Sequence, residues 1–187
     1  MSLKISCEEK LNSRKKLDAS FYSKPATVLA EELLGKYLCR NINGETLKLK
    51  ITETECYFGE EDTACHAHKG KTKRTEIMYY EGGFAYVYLC YGIHNLLNVV
   101  TGEKDHPEAV LIRGVDGYNG PGKLTKAMNI DRSLNGENLI TSNKLWIEKD
   151  GNDTKDNFEV KKAKRIGIGY ASEEDKNKMW RFIKIEN

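Results

Sequence analysis

Apolar residues recur at three- and four-residue spacing from Pro25 to Arg40, at Val28, Leu29, Leu33, Leu34, Tyr37 and Leu38. That period predicts an amphipathic helix with its proline in the first turn. The pattern changes at Asn43-Gly44, a dipeptide that favours a two-residue hairpin. Between Thr46 and Tyr57 the chain alternates. Leu47, Leu49, Ile51, Glu53, Glu55 and Tyr57 fall on one side of an extended segment, and Lys48, Lys50, Thr52 and Thr54 on the other. The predicted strand thus carries two carboxylates on the face that should be buried. Phe84 to Gly92 is aromatic and β-branched on both faces, which predicts a central buried strand ending in a turn. Leu96–Thr101, Ala109–Arg113, Lys144–Glu148, Arg165–Gly169 and Arg181–Ile185 predict further short strands. Gly120-Pro121-Gly122 opens a short helix reaching Met128, and Ser172-Glu173-Glu174-Asp175 reads as a capped helix start. Residues 1–18 are charged and aperiodic, a mobile or loosely docked arm, and Asp150 to Lys162 reads as a polar surface loop. Most strand connections are too short for helical crossovers. The expected fold is therefore a single α+β domain over residues 19–187, a curved, mostly antiparallel sheet flanked by helices.

Composition bounds this picture without altering it. A chain of 187 residues fits one domain, with 39% hydrophobic and 31% charged residues. No apolar run approaches the ~20 residues that span a bilayer, and the first residues are too polar for a secretory signal. Five cysteines lack framework spacing, which points to reduced thiols and a cytoplasmic location. A net charge of +2 neither requires nor excludes a polyanionic partner, so any nucleic-acid footprint must be local. His66 to Arg74, with Lys69, Lys71, Lys73 and no acid, is the one candidate, although charge alone favours a solvated loop.

Glu53 and Glu55 each need a cation, a set of donors or a chemical role if they point inward. Arg113, the only charge at the end of Ala109-Val110-Leu111-Ile112, is the obvious cation, unless the strand bulges at Thr52 and exposes both acids. Tyr57 shares their face, and Tyr86, Tyr88 and Tyr91 crowd one short span beside a glycine turn, either as core aromatics or as a platform or wedge for flat rings. Cys56, Cys65, His66 and His68 lie close together but lack the paired short spacings of structural zinc. The glycines of Gly120-Pro121-Gly122-Lys123 lack the spacing of a nucleotide-binding loop.

Taken together, Ile51 to Val100 resembles the central block of the alkyladenine DNA glycosylase family, also called methylpurine or 3-methyladenine DNA glycosylases. The segments at Phe21–Leu38, Glu108–Val115, Gly120–Ile130 and Arg165–Ala171 are similar to its flanking blocks in the same order, so the resemblance spans roughly residues 20 to 182. Relative to animal members, the stretch between Gly114 and Gly120 is short. The resemblance implies a monofunctional, monomeric enzyme of base excision repair. It would remove alkylated or deaminated purines from double-stranded DNA, with no metal or other cofactor and no strand cleavage. By the same resemblance Glu55 would activate the attacking water and Arg113 would help position it. Tyr57, His66 and Tyr88 would stack on the extruded base, and Asn98 would discriminate against the amine of guanine. Tyr91 would fill the gap left in the duplex; Lys71, Lys73 and Arg74, from the basic run rather than from the resemblance, are the residues expected to contact DNA.

The chemistry fits those roles. A single carboxylate can stabilise positive charge growing on the sugar and accept a proton from water. Glu53 is expected to support that group rather than to react. A non-catalytic nucleic-acid module with the same aromatic platform remains the competing expectation. A pure binder of polyanions, however, has no use for an inward carboxylate beside its stacking rings. A sugar-chain hydrolase is disfavoured, because same-face neighbours on one strand cannot flank a substrate from both sides.

Overall fold

The computed structural model describes residues 15–150 and 158–186. Two short helices, α1 (Ala19–Tyr22) and α2 (Ala26–Glu32), precede β1 (Tyr37–Ile42) and β2 (Glu45–Phe58). After two 3-10 turns come β3 (Ala85–Cys90), β4 (His94–Val100), β5 (Glu108–Val115), the two-residue β6 (Tyr118–Asn119) and α3 (Pro121–Ala127). β7 (Leu145–Glu148), β8 (Phe158–Ala163), α4 (Glu173–Asn177) and β9 (Arg181–Glu186) complete the chain. All pairings are antiparallel, in the order β3-β4-β5-β2-β1-β7, with β6 on β5, β9 on β2 and β8 on β9. The fold is thus the expected α+β class with a curled antiparallel sheet. No helix among the described residues is long and apolar enough to cross a membrane.

Several elements differ from expectation for identifiable reasons. The predicted helix stops at Glu32, because Gly35 takes a left-handed φ of 78° and donates its N–H to Ile51 O at 2.9 Å. Tyr37 to Ile42 then pairs on both sides, with β2 and β7, and two ladders outweigh a helical period. Asn43 and Gly44, both with positive φ, make the expected hairpin. The strand at Ala85–Cys90 is at the end of the sheet, not its centre. Its outer edge is covered instead by Asn135–Glu137, through Ala85 N to Glu137 O at 2.9 Å and Val87 N to Asn135 Oδ1 at 2.9 Å. Residues 165–169 form an irregular loop, and residues 158–163 are strand β8 rather than loop; 151–157 lie outside the described residues. Of the expected arm, residues 1–14 also lie outside them, and Leu17 is buried with its N–H on Ile147 O at 3.0 Å.

The sheet has two working faces. Cys56, Val87, Leu97, Val99, Val110 and Ile112 pack with α2 and α3 into the main core. Their sequence neighbours Tyr57, Tyr86, Tyr88, Asn98, Ala109 and Leu111 face the other way and line a cavity. Period-two alternation explains both sets at once. The exception is β2, whose register to β5 shifts between Ile51 and Thr54. This bulge switches the phase of the strand. Leu47, Leu49 and Ile51 face the main core together with Cys56 and Phe58, while Thr54 reaches Ala30 O of α2. Glu53, Glu55 and Tyr57 are thereby turned to the cavity face. The acids do not share a face with Leu47, Leu49 and Ile51, as unbroken alternation predicted.

Candidate active site

Across the cavity face, Tyr86, Asn98, Leu111, Glu55 and Arg181 stand opposite one another on successive strands. Glu55 is fully buried. Its Oε1 accepts from Ile166 N at 2.7 Å, and its Oε2 accepts from Tyr57 OH at 3.0 Å and from Arg113 Nη1 at 3.4 Å. All three donor residues line the cavity, so the carboxylate lies one layer behind its wall. Burial raises the pKa of Glu55 above the ordinary carboxylate range, against the opposing pull of Arg113, the Ile166 N–H and the Tyr57 hydroxyl. Glu53 is placed differently. Its Oε1 joins Arg113 Nε at 3.1 Å to Arg181 Nη1 at 3.0 Å, so it sits between two guanidiniums at the edge of the site.

The cavity measures about 740 Å³, within the roughly 300–1,000 Å³ usual for small-ligand sites and ample for one purine. Tyr57, His66, Tyr88 and Asn98 all contribute to its wall. His66 packs edge-on to Tyr88 with ring centroids 4.5 Å apart, and its Nδ1 shares a 3.0 Å hydrogen bond with Tyr86 OH. Burial, with the neighbouring Arg74 charge, pushes the His66 pKa down to about 4, so the imidazole is neutral at physiological pH. Asn98 is held by donating Nδ2 to Tyr86 O at 3.2 Å. Of the three tyrosines in the crowded span, Tyr86 and Tyr88 both line the cavity, Tyr86 the more deeply buried, with their rings stacked 5.5 Å apart.

Tyr91 is the third, and its setting is unlike the others. It tops the β3–β4 hairpin with φ 50°, followed by Gly92 with φ 73°, and its side chain is 88% exposed at the mouth of the cavity. A bulky residue held in the left-handed region and pointed at solvent is costly on both counts. Within the basic segment, Arg74 lines the cavity with its guanidinium 5.4 Å from the Tyr88 ring centroid. Lys71 and Lys73 are exposed and lie off the wall. Cys56, Cys65, His66 and His68 do not converge, and the described residues contain no group of three or more His, Cys, Asp or Glu side chains able to hold a metal. Burial raises the thiol of Cys65 to about 12.

Sequence reasoning did not single out the Ile166 N–H, because a backbone donor leaves no residue signature. Nor did it give the Asp62–Arg165 ion pair a part in the site, because the two residues lie far apart in sequence and only the fold brings them together.

A family model described as methylpurine-DNA glycosylase matches residues 20–118 and 116–187. A protein of Borrelia garinii is 44% identical over 183 residues, covering 91% of this chain and 97% of its own length. Relatives in Natranaerobius thermophilus, 43% identical over 194 residues, and Clostridium perfringens, 42% identical over 200 residues, cover 92% of this chain and 96% and 97% of theirs. All three carry 3-methyladenine DNA glycosylase as a provisional name.

Proposed function

The chain belongs to the methylpurine-DNA glycosylase family of base excision repair, and from that premise we propose that it hydrolyses the N-glycosidic bond of a damaged purine turned out of duplex DNA into this cavity. The observation that carries the proposal is the buried Glu55 carboxylate, whose donors all line a purine-sized cavity with an exposed tyrosine at its mouth.

In this reading Tyr91 enters the base stack and offsets part of the few kcal/mol that unstacking costs. The extruded base lies between Tyr57 and the His66–Tyr88 pair, where stacking on aromatic rings contributes ~1–3 kcal/mol per base. Asn98 sets which purine edge fits, and Arg74, Lys71 and Lys73 meet the backbone phosphates. As the C1′–N bond lengthens, positive charge builds on the sugar, and the Glu55 carboxylate stabilises it. Arg113 orients water, Glu55 takes its proton, and the oxygen bonds to C1′ as the purine departs with the bonding electron pair. A purine alkylated at a ring nitrogen is already cationic, so it leaves as a neutral molecule. Hypoxanthine needs a proton on departure. No step uses a lysine Schiff base, so the strand stays intact.

Incubation with duplexes carrying 3-methyladenine, 7-methylguanine or hypoxanthine tests this. Strand breaks should form only after hot alkali. Absence of alkali-labile sites in all three duplexes would contradict the proposal, and breaks formed before alkali would contradict the monofunctional reading.

A further inference from the structure

Behind Tyr57 lies an ion pair with no exposed surface on either side chain, Arg165 with Asp62. The guanidinium makes a two-point fork, Nη1 to Asp62 Oδ2 at 2.5 Å and Nη2 to Asp62 Oδ1 at 2.8 Å. It also donates from Nη1 to Cys56 O at 2.9 Å, while Nε is buried without a partner. Cζ stands 4.9 Å from the Tyr57 ring centroid and 5.0 Å from that of Trp180. Tyr57 lines the cavity and Arg165 does not, so the guanidinium backs the ring from outside. The next residue is Ile166, whose N–H is the shortest contact to Glu55, at 2.7 Å.

Burying both charges, with one donor unpaired, is a poor way to gain stability; an apolar pair of equal volume does as well or better. Asp62 is in turn fixed by Phe58 N at 3.2 Å and Ala64 N at 3.1 Å, so the fork ties the end of β2 to the loop at 165–171. One rigid joint therefore determines where the Tyr57 ring lies and where the Ile166 N–H points. We propose that Arg165, held by Asp62, is a positioning residue of the glycosylase site, setting the stacking face of Tyr57 and delivering the Ile166 N–H to Glu55. This rests on the catalytic reading above. The other charged or titratable groups facing Glu55 are Tyr57 and Glu53 on its own strand, Arg113 on β5 and Arg181 on β9.

The test compares wild type with Arg165→Lys, which keeps the charge and loses the fork, and with the neutral double variant Arg165→Met/Asp62→Asn. Single-turnover excision of hypoxanthine from a duplex is followed against pH, alongside affinity for the same duplex and thermal midpoint. The expected result for Arg165→Lys is excision slower by about tenfold or more, in line with the cost of a small misplacement at a reacting centre, with duplex affinity within about twofold. The acidic limb of its rate profile should move to higher pH, because a carboxylate that loses a donor is harder to ionise. The double variant should show the same slowing and the same limb shift. Wild-type rate and wild-type limb in either folded variant, with only the thermal midpoint altered, would overturn the proposal by making the pair purely structural. Failure of both variants to fold would overturn it in the same way. Should wild-type protein release no base from any of the 3-methyladenine, 7-methylguanine and hypoxanthine duplexes, the catalytic reading fails first, which is a separate outcome; where it acts on an alkylated base alone, that duplex serves for the comparison.

Discussion

Asp62 and Glu55 are both wholly buried carboxylates that meet an arginine, and they are built in opposite ways. Asp62 is saturated by rigid donors: two from Arg165 at 2.5 and 2.8 Å, and two backbone N–H groups. Glu55 has one backbone N–H, a tyrosine hydroxyl, and an arginine at 3.4 Å. That arginine is itself shared with Glu53. Saturation makes Asp62 a joint. The looser set around Glu55 consists of groups that line a cavity, so a water or sugar can replace a donor at little cost in structure. In the proposed function Glu55 is the carboxylate that reacts, its pKa raised by burial and its donors on the cavity wall, whereas Asp62 is closed off in an ion pair with no exposed surface.

Substitution of the two acids should separate these roles. Glu55→Gln should lower excision by roughly 10²–10⁴-fold, the usual contribution of a positioned base, read by single-turnover kinetics. Its thermal midpoint should equal or exceed that of wild type, because a carboxyl with a raised pKa opposes folding once ionised. Asp62→Leu should do the reverse first to stability, costing about 3–5 kcal/mol in denaturant unfolding, because it strands the buried Arg165 charge.

A smaller effect is expected at the mouth. Tyr91→Ala should slow excision from duplex by about tenfold and leave excision from a single strand unchanged, since only the duplex must be unstacked. Its stability should barely change, as the side chain is 88% exposed. Equal slowing on both substrates would remove the wedge role.

The pH dependence gives a still finer distinction. Excision should fall as pH drops through the raised pKa of Glu55, because the protonated acid cannot accept a proton. His66, already neutral down to about pH 4, cannot account for a limb above that. Glu53→Gln should move this limb to lower pH, since removing a neighbouring negative charge eases ionisation of Glu55. A shift to higher pH would mean instead that Glu53 acts by holding Arg113 on Glu55. Least of all, Lys73→Ala should reduce the salt slope of duplex affinity by about one, with no change in base preference.

The grouping of Tyr88 and Asn98 with Glu55 was implied by the resemblance rather than by spacing, since Phe84 to Gly92 reads as apolar on both faces; in the structure, unbroken period-two alternation on β3, β4 and β5 brings Tyr88, Asn98 and Arg113 to one cavity wall. Reading β2 was harder. The pairing of Glu55 with Arg113 and Tyr57 followed from the residues, but the bulge that turns them away from Leu47 and Ile51 has no residue signature stronger than the acids themselves. The helix reading of Tyr37 and Leu38 failed where a single left-handed glycine and two flanking ladders overrode local period. A strand at Arg165–Gly169 was predicted from composition. The segment is a loop because its polar groups are spent on Asp62, Cys56 and Glu55, partners distant in sequence that no window could show.

The proposed catalysis requires an ionised Glu55 facing the charge that develops on the sugar, and affinity for a duplex bearing a pyrrolidine in place of the damaged nucleotide measures that most directly. The cationic ring mimics the transition state, so wild type should bind it at least about tenfold more tightly than the neutral tetrahydrofuran duplex, and Glu55→Gln should lose the preference. A preference of equal size in both proteins would contradict it.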